Sequence, residues 1–369
     1  MATGIGGIEE LHQYNLNLYP NEASGLLAIE NERLLAEHGW DRAFWVCLDE
    51  GEVTDCIALV GHKCGTGADL ESDWEIARLH AVAVGDTKAT EDAEALTRKD
   101  GFVYVIGSHF GKKVGPLQPK RGFVARFDEA KVLNAVDDPA TEIEVARPSF
   151  VLHRLINDAF EEHGVDLVPL GEECRKAFIE RTIEVGEKKG KKWAGLMREG
   201  DWPLNIEGAA FRPGGSLLIG LRFPMSADGR PILVDVEGIE RLFEKGGSKP
   251  EVKGFWTVNA VGRDGELAGF RDLTFVRDEL HAVTGDVDSS QSESLLIKDY
   301  PGGRNTVSTH WRVTLPEDQG YGDLDASPVR EFPGLPRVEG IAGTEDGRFF
   351  YVVDEDEGVL LRLTRLLTN

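Results

Sequence analysis

Short apolar runs interrupted by single polar residues recur along the whole chain, and their composition predicts strands. One phrase returns five times: an apolar residue, a variable residue that is polar or charged, and then a small or apolar run. A recurrence at intervals of tens of residues is typical of a repeat architecture. The five copies are Ala23-Ser24-Gly25-Leu26, Leu79-His80-Ala81-Val82, Ile206-Glu207-Gly208-Ala209, Phe270-Arg271-Asp272-Leu273 and Val338-Glu339-Gly340-Ile341.

A second apolar run follows each copy, and the five runs align without gaps. They are rich in β-branched and aromatic residues, and each ends in a charged or ionisable side chain. The runs are Phe44–Asp49, Tyr104–His109, Leu217–Arg222, His281–Asp286 and Tyr351–Asp356. Third strands are predicted at Cys56–Val60, Gly122–Phe127, Pro231–Val236, Thr309–Leu315 and Gly358–Leu363. Repeated small sheets with Gly- and Asp-rich turns predict an all-β fold, a β-propeller, that spans residues 1–369 as a single domain.

The number of copies predicts five blades, with six as the alternative. The interval between His80 and Glu207 is too long for one blade, and apolar residues from Leu152 to Phe160 fall on one helical face. We therefore predict a partly helical insertion over residues 146–204, rather than a sixth, degenerate blade. Residues Glu172–Glu184 form a second helix or a long outer strand. The N-terminal stretch Glu9–Tyr19 is expected to supply the outer strand of the last blade, with an unpaired tail as the alternative.

The variable positions define two rings at one face of the propeller. The innermost strand of a blade starts where its antiparallel neighbour ends, so both sets of polar residues are expected at the mouth of the central channel. The first ring is Ser24, His80, Glu207, Arg271 and Glu339, and the second is Asp49, His109, Arg222, Asp286 and Asp356. Convergent titratable groups in a concave pocket predict a ligand or catalytic site.

Structural roles are the alternative for each member of these rings. An Asp at the end of a strand, such as Asp49 or Asp356, commonly caps a turn by accepting a backbone hydrogen bond. Arg222 and Arg271 can pair with Glu207 or Asp272. A ring of alternating charge can also hold blades together without any ligand.

The charge balance narrows the class of partner. Asp and Glu outnumber Lys and Arg by 65 to 41, which gives a net charge of −24 and argues against binding to nucleic acid or to an anionic membrane surface. Against this background Lys112, Lys113, Lys120 and Arg121 fall together in the loop after His109, which favours a small anionic ligand such as a phosphate or carboxylate. The basic run at residues 188–192 either folds over the pocket or forms a solvated loop.

The remaining features exclude other classes. No apolar run approaches membrane-spanning length, and the N-terminal residues lack the pattern of a signal peptide. The four cysteines contain no CxxC pair, so a structural zinc site is not predicted. A cytoplasmic location is expected.

Two mechanisms fit the predicted rings. In the first, Glu207, Glu339 and Asp286 hold a hard cation such as calcium, because oxygen ligands suit its flexible coordination, while His80 or His109 moves a proton. In the second, no metal is bound, and His109 acts with Arg222 and Arg271 on an anionic ester.

Several of these phrases resemble a bacterial family of unknown function, domain-of-unknown-function family 3616. The resemblance is carried by Ile206-Glu-Gly-Ala-Ala210, Leu217-Leu-Ile-Gly-Leu-Arg222, Phe270-Arg-Asp-Leu-Thr274, Val105-Ile-Gly-Ser-His109 and Val338-Glu-Gly-Ile-Ala342. More distantly, the chain is similar to the phytase-like esterase propellers, in which Glu-Gly phrases recur at blade starts; Ser24 and His80 depart from that pattern. The first resemblance implies a fold without an activity, and the second implies hydrolysis of an ester or phosphoester.

Two functions therefore follow from the sequence. One is a hydrolase of an anionic ester or phosphoester, assisted by calcium, with His80, His109 and Glu207 as catalytic residues. The other is a non-catalytic propeller whose polar mouth binds a small anion or a protein partner. In both, the expected ligand contacts are Ser24, Asp49, Lys112, Lys113, Arg222, Arg271, Asp286, Glu339 and Asp356.

Overall fold

The structure is a computed structural model. It describes residues 8–16, 18, 22–65, 72–132, 140–244, 249–261, 266–288, 294–335, 337–344, 346–355 and 358–366.

Antiparallel meanders of four strands make up most of the described chain. We number the meanders 1 to 5 in the order in which their innermost strands occur in the sequence. Within each meander, the strands are given from the innermost to the outermost. Meander 1 contains Ala23–Ala28, Trp40–Leu48, Ile57–Lys63 and Trp74–Arg78. Meander 2 contains Ala93–Lys99, Phe102–Gly107, Val124–Asp128 and Thr141–Ala146. Meander 3 contains Asn205–Phe211, Leu217–Phe223, Ile232–Glu237 and Glu251–Asn259. Meander 4 contains Gly269–Val276, Glu279–Gly285, Thr309–Val313 and Tyr321–Glu331. Meander 5 contains Val338–Gly343, Arg348–Glu355, Gly358–Leu366 and Ile8–Leu16.

The innermost strands of the meanders form a closed ring. Each innermost strand contacts the innermost strands of the two neighbouring meanders, from meander 1 through meander 5 and back to meander 1. This is the propeller-like, mostly β arrangement that the repeated phrase predicts. The outermost strands of meanders 3 and 4 also pair in parallel, which joins these two meanders into one larger sheet.

The N-terminal strand completes the last meander. Ile8–Leu16 pairs antiparallel with Gly358–Leu366, with Ile8 opposite Leu366 and Leu16 opposite Val359. The prediction that the N-terminal stretch supplies the outer strand of the last repeat is confirmed. Pairing between the two ends of the described chain closes the ring and covers an edge that would otherwise be open.

Meander 2 differs from the prediction. The phrase at Leu79–Val82 does not begin an innermost strand; instead, Ala81–Gly85 lies at the outer edge of meander 2, in parallel pairing with Thr141–Ala146. The innermost strand starts at Ala93, where Ala93-Glu94-Ala95-Leu96 has the same apolar frame. His80 is exposed and lies outside the ring.

The apolar core is divided among the interfaces between neighbouring meanders. Phe44 packs toward meander 5, whereas the next residue, Trp45, packs toward meander 2, because successive side chains of a strand point to opposite faces. In the same way, the Phe349 side chain packs toward meander 4 and the Phe350 side chain packs toward meander 1. Both faces of these second strands are therefore buried, which explains why they are nearly continuous apolar runs rather than alternating ones.

Helices are concentrated between meanders 2 and 3. The helix Val151–Glu162 packs Leu152, Ile156 and Phe160 against meanders 2 and 3, and forms part of the insertion predicted for residues 146–204. The helical segments Glu172–Cys174, Arg175–Glu180 and Arg181–Lys188 follow one another, the middle one being a π-helix, so the alternative of a long outer strand is wrong. The other helical segments are Glu32–His38, Glu129–Lys131, Lys192–Leu196, Ile239–Phe243, Leu295–Asp299 and Pro301–Gly303. Within the described ranges no helix combines the length and the apolar character needed to cross a membrane.

Candidate functional site

The start of every innermost strand carries a β-bulge at one variable residue. In each meander the pairing register slips on passing this residue, for example between Ala23 and Gly25 or between Val338 and Gly340. A bulged residue leaves the hydrogen-bond ladder and its side chain is redirected. The bulged residues are Ser24, Glu94, Glu207, Arg271 and Glu339.

All five bulged side chains line one cavity of about 510 Å³ at the mouth of the ring. The site residues predicted from sequence that also line this cavity are Ser24, Asp49, Lys112, Lys113, Glu207, Arg222, Arg271, Asp286 and Glu339. Other polar side chains join them, namely Glu22, Glu91, Asp92, Glu94, Arg121, Asn205, Asp288, Arg337 and Asp354. The mouth is therefore polar, as the aligned phrases predict.

One side of the mouth, which we call the paired wall, consists of Glu207, Arg222, Arg271 and Glu339. The Arg222 Nη1 lies 2.5 Å from Glu207 Oε1, and the Arg271 Nε lies 3.1 Å from Glu207 Oε2. Arg271 also forms an ion pair with Glu339. Burial and the neighbouring Arg222 lower the pKa of Arg271 to about 10, so Arg271 stays charged at neutral pH. Buried charges in this wall are thus matched with one another.

The predicted metal ligands lie in or beside the paired wall and do not form an open oxygen site. Glu207 and Glu339 are both engaged by Arg271, whose guanidinium is a cation already in place. The Asp286 carboxylate accepts a hydrogen bond from the Thr306 N–H at 2.6 Å. Within the described part of the chain, these three carboxylates are not among the acidic groups that meet closely enough to share one ion.

The opposite side, which we call the acidic wall, consists of Asp49, Asp92 and Glu94. One carboxylate oxygen from each residue lies within 4.8 Å of the others. Glu94 is only 8% exposed, and its carboxylate makes no hydrogen bond or ion pair with any residue that the structure describes. The buried Asp49 Oδ1 also has no hydrogen-bond partner there. When all three carboxylates are ionised, this wall carries more negative charge than the described ion pair between Arg121 and Asp92 neutralises.

The electrostatics of the acidic wall follow from burial and like charge. Burial, followed by the nearby charges of Glu94 and Glu22, raises the pKa of Asp49 to about 10. Burial also raises the pKa of Glu94 well above its ordinary value, with Asp92 and Glu207 adding to the effect. Burial raises the pKa of Asp92 as well, although Arg121, whose Nη1 lies 2.9 Å from Asp92 Oδ2, opposes the rise. Without a cation, the wall keeps protons near neutral pH.

The loop after meander 2's second strand brings Lys112 and Lys113 to the mouth, and the insertion holds this loop. The Leu117 N–H donates to Thr182 Oγ1 at 2.9 Å, and the Phe110 and Phe178 rings lie 4.9 Å apart. Arg121 donates to the Gly111 carbonyl at 2.9 Å, which fixes the other end of the loop. The helices of the insertion therefore position a basic loop beside the acidic wall.

Neither predicted histidine lines the mouth. His80 lies at the outer edge of meander 2, because its phrase begins an edge strand there. His109 is buried behind the mouth with a positive φ of 59°, and burial together with His153 lowers its pKa to about 3. Ser108, one residue earlier, donates to the carboxylate of Asp92, which does line the mouth.

Asp356 lies outside the described residues. Asp354 is the residue of that run that lines the mouth, where it forms an ion pair with Arg337 at 2.9 Å. The basic run at 188–192 does not cover the mouth, since Lys189 and Lys191 line a different cavity.

Sequence reasoning missed Asp92 and Glu94, although a signal for them is present. Ala93-Glu94-Ala95-Leu96 has the apolar frame of the other copies, and only a small alanine replaces the glycine. The competing phrase at Leu79 matches over four residues, which is too few to fix a strand's place in a sheet.

Comparison with known proteins yields resemblances to solved structures at low sequence identity. No protein-family model matches the chain, and no curated protein sequence matches it. A glucose dehydrogenase superposes with a TM-score of 0.40 at 12% identity, covering 98% of this chain and 100% of its own. A mannose phosphorylase from Leishmania mexicana, solved with a phosphate ion, gives a TM-score of 0.42 at 9% identity, covering 98% and 89%. The glutaminyl cyclase of Myxococcus xanthus gives a TM-score of 0.39 at 12% identity, covering 98% and 97%.

Proposed function

We propose that the mouth binds a divalent cation, calcium in the first instance, on the acidic wall, and that it hydrolyses an anionic ester or phosphoester held beside that cation. The observation that carries the proposal is the close approach of Asp49, Asp92 and Glu94 in a cavity where Glu94 is buried and lacks a partner.

The acidic wall suits a hard cation because it offers only oxygen ligands of high negative charge. Three carboxylates this close together, of which only Asp92 pairs with an arginine among the described residues, favour either bound protons or a bound cation at neutral pH. The raised pKa values of Asp49 and Glu94 mean that protons occupy the wall when no cation is bound. A cation that displaces these protons would relieve the same repulsion. The carboxylates of the paired wall need no further counter-charge, because Arg222 and Arg271 already form ion pairs with them.

The same cavity offers cationic contacts for an anionic substrate. Lys112 and Lys113 line it from the loop that lies beside the acidic wall. Their ammonium groups would bind a phosphate or carboxylate through charge-assisted hydrogen bonds. A bound divalent cation supplies Lewis-acid polarisation of an ester oxygen and lowers the pKa of bound water.

Proton transfer in this proposal rests on carboxyl groups rather than on imidazoles. No histidine lines the mouth within the described ranges, and His109 is held neutral behind it by burial. Asp49, with its pKa raised to about 10, retains a proton at neutral pH when no cation is bound. Once a bound cation has displaced this proton, the Asp49 carboxylate would take a proton from the attacking water and pass it to the leaving oxygen.

Calcium titration calorimetry at pH 7.5 tests the cation site. We expect the wild-type protein to bind calcium and to release protons on binding, with affinity reduced at least about 10-fold in Glu94→Gln and in Asp49→Asn. Asp354→Asn is the matched control, because Asp354 lines the same mouth but is paired with Arg337. Equal affinity in all four proteins would overturn the proposed site.

An activity panel of phosphoesters and lactones, with calcium and with a chelator, tests the hydrolysis step. We expect calcium-dependent turnover that Glu94→Gln abolishes and His80→Ala leaves intact. Calcium binding without turnover on any substrate would instead favour the second candidate function, a propeller that binds an anionic ligand through its cation without reaction. The paired wall is the observation that favours this second candidate. Its charged groups are already engaged with one another, so they can hold the meanders together without taking part in a reaction.

A further inference from the structure

A second cavity of about 510 Å³ lies away from the mouth, between the Pro116–Pro119 part of the basic loop and the insertion. We call it the basic cavity, because every charged side chain that lines it within the described residues is cationic. These side chains are Lys88, Arg147, Arg181, Lys189 and Lys191.

An all-cationic lining is unusual in this chain, where acidic residues outnumber basic ones by 65 to 41. Most arginines elsewhere in the described part of the protein have a carboxylate partner. In contrast, Arg147, Arg181, Lys189 and Lys191 form no ion pair with any described residue. Local positive charge without an internal counter-charge favours an external anion.

Arg147 gives an independent sign of a missing partner. Its Nε is buried and makes no hydrogen bond, and the guanidinium's hydrogen bond to protein is a long one of 3.4 Å from Nη2 to the Pro119 carbonyl. A guanidinium presents a planar fork of donors that matches phosphate oxygens. The unused donors of Arg147 therefore point to an anion with several oxygens.

Most of the remaining lining of the basic cavity is apolar. Leu117, Val185 and Trp193 contribute to it, together with Pro116 and Pro119. The Trp193 ring lies 4.9 Å from the Phe150 ring, which fixes its position. On the facing helix, Thr182 Oγ1 accepts from the Leu117 N–H and donates to the Phe178 carbonyl at 2.5 Å. A fixed indole beside cations that have no described ion-pair partner suits a flat apolar group that carries phosphate.

We propose that the basic cavity binds a phosphorylated small molecule with a flat aromatic group, of the nucleoside diphosphate class. The phosphates contact Arg147, Arg181 and the two lysines, and the aromatic group lies against Trp193 and the prolines. The site is separate from the mouth, although one loop forms a wall of both: Lys112 and Lys113 face the mouth, whereas Leu117 and Gln118 face the basic cavity.

Titration calorimetry with ADP in the presence of a chelator tests the proposal, because the chelator keeps the mouth free of divalent cations. We expect ADP to bind the full-length protein and adenosine to bind at least about 10-fold more weakly. The double variant K189Q/K191Q should weaken ADP binding about 10-fold or more. K188Q/K192Q is the matched control: it removes the same charge from the same segment, but neither lysine lines the cavity.

Further variants separate this site from the mouth and from non-specific attraction. Arg147→Gln should also weaken ADP binding, with an unchanged melting temperature as the check on folding, whereas Glu94→Gln should leave ADP affinity unchanged. Three results would overturn the proposal: no ADP binding to the wild-type protein at millimolar concentration, equal weakening by the two double-lysine variants, or adenosine binding as tightly as ADP. Pyrophosphate binding as tightly as ADP would overturn the nucleoside part.

Discussion

The two walls of the mouth are built on the same backbone device but treat charge in opposite ways. In the paired wall, Arg271 lies between Glu207 and Glu339 and makes ion pairs with both. In the acidic wall, Glu94 occupies the equivalent bulge of its own meander, beside Asp49 and Asp92, without a matching partner in the described chain. Equivalent positions in a repeat fold can therefore carry a structural or a ligand-binding role, depending on which charges face each other.

This contrast indicates where function lies in a pseudo-symmetric ring. A buried ion pair satisfies itself and has little to offer to a ligand, whereas unmatched buried carboxylates raise the free energy of the empty protein until something neutralises them. Asp272, which follows Arg271 on the same strand, shows a third way to accommodate a buried carboxylate. Its buried carboxylate accepts hydrogen bonds from the Ile341 and Leu273 N–H groups, at 2.9 and 2.8 Å, and so ties two meanders together.

The largest expected effect comes from breaking the paired wall. Arg271→Met removes the shared cation and leaves Glu339 buried without its ion-pair partner, so we expect the free energy of unfolding to fall by about 3–5 kcal/mol. Urea denaturation at pH 7.5 measures it. Adding Glu339→Gln to this variant should restore part of the loss. A loss below about 1 kcal/mol would show that the wall's charges are not matched as described.

A smaller effect is expected in the acidic wall, where removing a charge should raise the free energy of unfolding rather than lower it. The pKa of Asp49 rises from 3.8 to about 10 on folding, so the native state binds more protons than the unfolded state between about pH 4 and pH 10. Stability of the cation-free protein should therefore fall as pH rises through this window. Asp49→Asn removes this titration and should stabilise the cation-free protein at pH 8 by at least about 1 kcal/mol, since one pKa unit corresponds to about 1.4 kcal/mol.

The same acid-to-amide change in the paired wall provides the control for this prediction. Glu339→Gln weakens an ion pair to Arg271 and should destabilise the protein at pH 8. Thermal unfolding at several pH values compares the two variants. Destabilisation by both substitutions, with parallel pH profiles, would remove the distinction between the walls.

The smallest expected effect concerns His80, which the repeated phrase placed in the ring. His80 is exposed at the outer edge of meander 2. His80→Ala should change the free energy of unfolding by no more than about 0.5 kcal/mol and leave calcium affinity unchanged. A loss of calcium binding in His80→Ala would mean that this histidine reaches the mouth after all.

The sequence predicted the repeat frame well where the phrase is long and the following strands agree. Glu207, Arg271 and Glu339 are each followed by two further predicted strands, and all three line the mouth as predicted, each at a β-bulge. The phrase around His80 failed because Ala81–Gly85 pairs in parallel with a distant strand, Thr141–Ala146, and no local pattern encodes that partner. The prediction for His109 failed because this residue adopts a positive φ and is buried behind the mouth, while its neighbour Ser108 donates to the Asp92 carboxylate.

By itself, the sequence determined the all-β repeat, the closing N-terminal strand, the helical insertion and the polar character of one ring of positions. These follow from short apolar runs, helical spacing and turn residues, which act over a few neighbours along the chain. Only the tertiary structure decided which charges face each other across the mouth. Glu94 and Asp49 belong to different meanders, and Arg271 reaches a glutamate on each side. Electrostatic compensation depends on distance and burial in three dimensions, and these are set when the ring closes.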